Sequence, residues 1–105
     1  MNALDVLDTN RDEIAALCKQ FAVKRLRVFG SAVTEEWSED RSDFDFLVDY
    51  TVEAKSLPPL DRLVGLKLAL EALLGRKVDV VNVAQLRNAR FHEFVVRQAV
   101  EFYAA

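Results

Sequence analysis

The sequence predicts an α/β fold, a small β-sheet flanked by helices in the order αβαβαβα. Three short runs rich in β-branched and aromatic residues, at 25–29, 43–50 and 77–83, alternate with segments whose apolar residues recur every three and four positions. With 105 residues the chain can bury one two-layer core and hardly a second, so residues 1–105 are expected to form one domain. About half of the residues are apolar and 30% are charged, with only two Pro and three Gly, which is the composition of a packed protein.

Each element has a local cause. Thr9, or Asp8 before it, can cap a first helix whose apolar face is Ile14, Leu17, Cys18 and Phe21. Arg25 to Phe29 alternates charged and apolar residues and stops at Gly30, the pattern of a half-buried strand ending in a turn. Ser31 to Trp37 can begin a short helix, residues 38–42 are a polar loop, and Asp43 to Tyr50 is a second strand by its Phe, Val and Tyr content. Pro59 suits a helix's first turn, and Leu63, Leu66, Leu70 and Leu73 or Leu74 line one face. Gly75 suits the position just past that helix's end. Lys77 to Val83 is a β-branched third strand, and Phe91, Phe94, Val95, Ala99 and Phe102 mark a last amphipathic helix.

Composition excludes several function classes. A net charge of -3 is unsuited to the many phosphate contacts that nucleic-acid binding requires, so DNA or RNA is not expected as the main partner. One cysteine, Cys18, allows no internal disulfide, and with His92 as the single histidine there is no ligand set for a structural zinc. The N-terminus is acidic, without the basic start and apolar run of a secretion signal, and no apolar run approaches the ~20 residues of a membrane span. A cytoplasmic location is expected.

The second strand raises the functional question, because it places acids among Phe, Leu and Val. In extended backbone Asp43 and Asp45 project to one face while Phe44 and Phe46 project to the other. Their Cβ atoms then lie about 6 to 7 Å apart, close enough to converge on a hard cation. Asp79, among Val78, Val80 and Val81, is a third acid in an apolar strand. Its charge requires relief by a cation, a partner or a strand end. Upstream, Gly30 lets backbone approach a ligand closely, and Ser31 at a helix start offers a hydroxyl and amides to an anion. Bare chemistry therefore suggests Mg²⁺ and a nucleoside triphosphate bound between the turn after Gly30 and the acids. A plainer alternative puts Asp43, Asp45 and Asp49 on the wet face of an edge strand, with Asp79 near a strand end.

Gly30-Ser31, an eleven-residue gap, Asp43-Phe44-Asp45 and then Asp79 inside VDVV together resemble the DNA polymerase beta-like nucleotidyltransferases, in particular the minimal nucleotidyltransferase (MNT) domains. The resemblance spans residues 24–103. It implies a small mixed sheet with flanking helices, and transfer of a nucleotide from ATP with release of pyrophosphate. It further implies that Gly30 and Ser31 contact the phosphates and that Asp43 and Asp45 hold two Mg²⁺ ions. Asp79 would share a metal and help prepare the attacking hydroxyl. Similar proteins often continue from Gly-Ser with basic and small residues. This chain has Glu35 and Glu36 instead, and Arg41 is the candidate for compensating nucleotide contacts.

With no residues left over for an acceptor-binding domain, the acceptor is expected on another molecule. MNT domains typically accompany a HEPN-domain toxin that they neutralise, in some systems by adenylylating it. The resemblance thus implies the antitoxin of such a pair, transferring AMP to a hydroxyl of the toxin, in a homo- or hetero-oligomer. The rival reading is a binding module that silences its partner by contact alone, and a weaker one is a fragment of a larger small-molecule transferase. His92 reads as a surface or capping residue, Cys18 as a small buried apolar one, and Trp37 as packing under the loop, a base stack or a partner anchor. The basic side of the last helix, Arg87, Arg90 and Arg97, reads as a solvated face or a docking surface.

Overall fold

The computed structural model describes residues 2–34, 37, 43–51, 59–85 and 89–105. Two helices open the chain, α1 (Ala3–Thr9) and α2 (Arg11–Gln20). The sequence suggested one helix capped by Asp8 or Thr9. Instead Asn2 caps α1 in a reciprocal capping box with Asp5, Thr9 is its last residue, and its hydroxyl donates back to the Asp5 carbonyl. Asn10 leaves the helical region and its amide donates to the Val6 carbonyl, so the chain bends and starts α2.

Four strands form one mixed sheet in the order β3-β2-β1-β4: β1 (Val23–Phe29), β2 (Phe44–Tyr50), β3 (Val78–Asn82) and β4 (Val100–Ala104). The β1 strand is antiparallel to both neighbours, whereas β2 and β3 are parallel. Parallel neighbours need a crossover, and the sixteen-residue helix α3 (Pro59–Leu74) supplies it. Gly75 follows with φ +69°, the left-handed conformation that ends a helix at low cost to glycine.

The last helix, α4 (Ala89–Gln98), stops before the expected end, and Phe102 lies in β4. Val95 and Phe102 are seven apart, a spacing that also fits a helix, so the periodic pattern ran on. What redirects the chain is the otherwise unpaired edge of β1, whose donors and acceptors β4 satisfies from Arg25 to Val28. The expected helix after Ser31 is a single 3₁₀ turn, Gly30–Val33.

Two apolar clusters sandwich the sheet. Leu26, Val28, Phe44, Phe46 and Val48 pack beneath α2 and α3, which bring Ile14, Cys18, Leu66 and Leu70, all fully buried. Burial pushes the Cys18 thiol up to about 12, so it behaves as an apolar side chain. On the other face Phe29 and Leu47 pack against Val95 of α4. Trp37 packs against Phe44, their ring centroids 4.7 Å apart, with the Arg76 guanidinium over its ring.

Where α2 and α3 cross, Gly65 gives close approach: a Cβ there would meet Cε1 of Phe21 at 2.7 Å. Helix propensity alone favours Gly65→Ala by about 1 kcal/mol. Overpacking against a stiff ring reverses the sign, and the expected net loss is about 1–2 kcal/mol in urea denaturation.

Candidate functional site

The site sits where β1 ends and β2 and β3 begin. Asp45 is the second residue of β2, and its neighbours across the sheet are Phe29 of β1 and Asp79 of β3. Strands in a sheet lie about 4.8 Å apart, so two carboxylates on paired positions are brought together. The alternation expected of β2 is present, with Phe44 and Phe46 fully buried and Asp45 half-buried between them. The strand is central and not an edge, which removes the plainer explanation of its acids. Asp79 is exposed because β3 is the edge, and that position relieves the desolvation its apolar neighbours suggested.

Asp45 carries the electrostatic signature of the site. Burial raises its carboxyl to about 6, helped by the Asp79 charge, by a hydrogen bond to Asp79 and by the Asp43 charge. When Asp45 is protonated its O–H donates to the Asp79 carboxylate. Asp43 stands exposed just before β2, near enough to add its field. Like charges gathered on one strand end fit a hard cation, which oxygen donors of this kind would hold. Among the described residues no three His, Cys, Asp or Glu side chains are close enough to hold an ion alone. An ion on these acids would therefore complete its shell with water and substrate oxygens, as Mg²⁺ commonly does.

Gly30 abuts Asp45. It has φ +75°, and a Cβ on it would lie 2.2 Å from Oδ2 of Asp45, so only glycine fits. Its amide donates to Oε1 of Gln98 at the end of α4, 3.3 Å away. Ser31 follows in the 3₁₀ turn, half-buried, and its carbonyl accepts from the amide and hydroxyl of Thr34. Of the residues singled out from sequence, Gly30, Asp45 and Asp79 come together, with Ser31 and Asp43 beside them. Arg41, Glu35, Glu36 and Arg87 lie outside the described residues.

A cavity of about 500 Å³ opens beside the acids, lined by Phe29 of β1, by Asp45 and Asp79, by Val80 and Val81 of β3, and by Leu63, Val64 and Lys67 of α3. Lys67 and Gln98 are side chains of this region that sequence reasoning missed. Lys67 is a lone cation inside the apolar run LVGLKLAL, a signal of the same kind as the acids in β2. For Gln98 no sequence signal existed.

The nucleotidyltransferase domain model matches residues 12–103. The chain belongs to that family. This nucleotidyltransferase is 39% identical over 84 residues to protein adenylyltransferase MntA of Thermococcus cleftensis, covering 80% of the chain and 79% of the relative. A solved structure assigned as a minimal nucleotidyltransferase is 38% identical, with TM-score 0.75 and 95% of each chain covered. A chain in the crystal structure of the toxin-antitoxin MntA-HepT has the same fold at 20% identity, with TM-score 0.64, covering 93% of this chain and 73% of that one. The mixed sheet and flanking helices of the nucleotidyltransferase fold are those the sequence led us to expect. No helix among the described residues is long and apolar enough to cross a membrane.

Proposed function

We propose that this nucleotidyltransferase transfers AMP from Mg-ATP to a hydroxyl of a partner protein, and that it is the antitoxin of a HEPN/MNT pair. The observation that carries the reading is the contact of Gly30 with Asp45, which itself faces Asp79 across the sheet. A turn suited to phosphate thus adjoins acids suited to a cation. Asp43, Asp45 and Asp79 would hold Mg²⁺, which when bound neutralises the phosphate oxygens and the charge developing on the leaving group. Gly30 and Ser31 would position the triphosphate, with Arg41 adding a cation from the loop. Asp79, exposed on the edge, would orient the attacking hydroxyl and receive its proton. The names of the Thermococcus relative and of the MntA-HepT complex support a protein acceptor and a HEPN-type partner. We take the chain to act as one domain, in the cytoplasm.

The discriminating experiment is calorimetric titration with ATP, with and without Mg²⁺, on the wild type and on Asp43→Asn/Asp45→Asn. ATP binding is expected only with Mg²⁺ and only in the wild type, weakening at least 30-fold when the metal is chelated. Equal binding by the double variant would remove the acids from the site.

A neutralising module that acts by contact alone is the second reading, favoured by the exposed Phe94, Val96 and Val100 around α4. A stable complex whose partner never gains the mass of one AMP would decide for it.

A further inference from the structure

Resting on the transfer reading above, the geometry also gives the acceptor a direction of approach. Across the sheet, Gly30 follows β1, Asp45 lies on β2 and Asp79 on the edge strand β3, so the phosphate turn and the open edge flank Asp45 on opposite sides. In-line displacement puts the attacking oxygen opposite the departing pyrophosphate. With the triphosphate on the Gly30 side, attack comes from the Asp79 side, to which the cavity extends from Phe29 and Asp45.

That cavity has a definite chemistry. Its walls are mostly apolar, and the one cation among its described lining residues is Lys67, which is half-buried. Among the described residues Lys67 has no hydrogen bond or ion pair. A half-buried cation on an apolar wall attracts an anion brought by a ligand and helps to orient it. The cavity leads onto the outer face of α3, where Val64 is 41% exposed and Leu68 58%. Positions 64, 67 and 68 share one helix face, so an apolar strip surrounds the lysine and is continuous with the site.

We propose that the acceptor is a protein segment that docks on this strip, inserts its hydroxyl side chain past Asp79, and pairs a flanking acidic residue with Lys67. Lys67 then determines which hydroxyl is chosen. In the reaction the acceptor oxygen bonds to the α-phosphorus of ATP, and the bond from that phosphorus to the bridging oxygen breaks. Pyrophosphate leaves with the electron pair, and the hydroxyl proton passes to Asp79 and on to water.

The test uses two synthetic peptides of equal length, each carrying one Ser, one Thr and one Tyr, flanked by glutamates in one and lysines in the other. Transfer of labelled AMP from Mg-ATP is measured with the wild type and with Lys67→Glu. The wild type is expected to favour the glutamate peptide at least 10-fold in kcat/KM, and Lys67→Glu to favour the lysine peptide, with ATP affinity within 2-fold of wild type. A merely structural lysine would lower both rates without inverting the preference. An unchanged preference in Lys67→Glu, or transfer to neither peptide by wild type that binds Mg-ATP, overturns the acceptor inference alone. Failure of the wild type to bind Mg-ATP overturns the transfer reading and this inference with it.

Discussion

Asp45→Asn is expected to abolish AMP transfer, by about 10²–10³-fold or more, while making the protein more stable at neutral pH. The two effects have one cause. The folded protein holds the Asp45 carboxyl at about 6, above its ordinary 3.8, because of burial and the neighbouring Asp79 and Asp43 charges. The native state therefore binds a proton more tightly than the unfolded chain does. Between pH 3.8 and 6 stability falls as pH rises, and above 6 the full penalty of the ionised carboxylate is present. An amide in its place carries no charge and still donates to Asp79. Because the group is only half-buried, solvent screening reduces the gain to about 1 kcal/mol at pH 7. Urea denaturation with a chelator present should show that gain at pH 7 and its disappearance below pH 4. A variant no more stable than wild type at pH 7 would mean that the acid pair is not electrostatically strained.

Gly30→Ala is expected to be the most damaging small substitution in the chain. Alanine at φ +75° costs about 1–2 kcal/mol in backbone strain. Its Cβ would also lie 2.2 Å from Oδ2 of Asp45, so that carboxylate must rotate away. Overpacking of this kind adds about 1–3 kcal/mol, giving a total loss of about 3 kcal/mol together with loss of transfer comparable to that of Asp45→Asn. The two contributions separate in a double-mutant cycle. In an Asp45→Ala background the clash is gone, and Gly30→Ala should cost only the backbone part. Gly75→Ala is the control. It also sits at positive φ, +69°, yet nothing lies within 4 Å of its Cβ, so it should lose about 1 kcal/mol and keep full transfer activity. Equal transfer by Gly30→Ala and Gly75→Ala would refute a special role for the Gly30 contact.

Much of this was legible from local chemistry. Period-two alternation located β2 and told which of its residues face the core, and Pro59 and Gly75 bracketed α3 by what their backbones permit. The acids of β2 and β3 were visible because charge in an apolar strand is expensive, so it stands out. What stayed hidden depends on tertiary context. Nothing local says that β2 is central, that β3 is the edge, or that Asp45 and Asp79 fall in register. The strand β4 was masked by a residue spacing that two periods share, and only the unpaired edge of β1 distinguishes them. The break between α1 and α2 turned on one asparagine whose side chain bonds to backbone instead of solvent. Lys67 was passed over because a lysine in a leucine-rich helix ordinarily lies along the surface with its charge in water.

The contact of Trp37 with Phe44 has an experimental consequence. Trp37 is the protein's single tryptophan, and Phe44, the ring it touches, stands between Asp43 and Asp45. Its indole also lies beneath the Arg76 guanidinium, a charge close enough to influence the energy of its excited state. The chain thus contains its own fluorophore, without a label, at the entrance to the strand that carries the acids, and excitation at the red edge of the absorption band singles it out from Tyr50 and Tyr103. Light emitted by the untouched wild-type protein follows that entrance in real time.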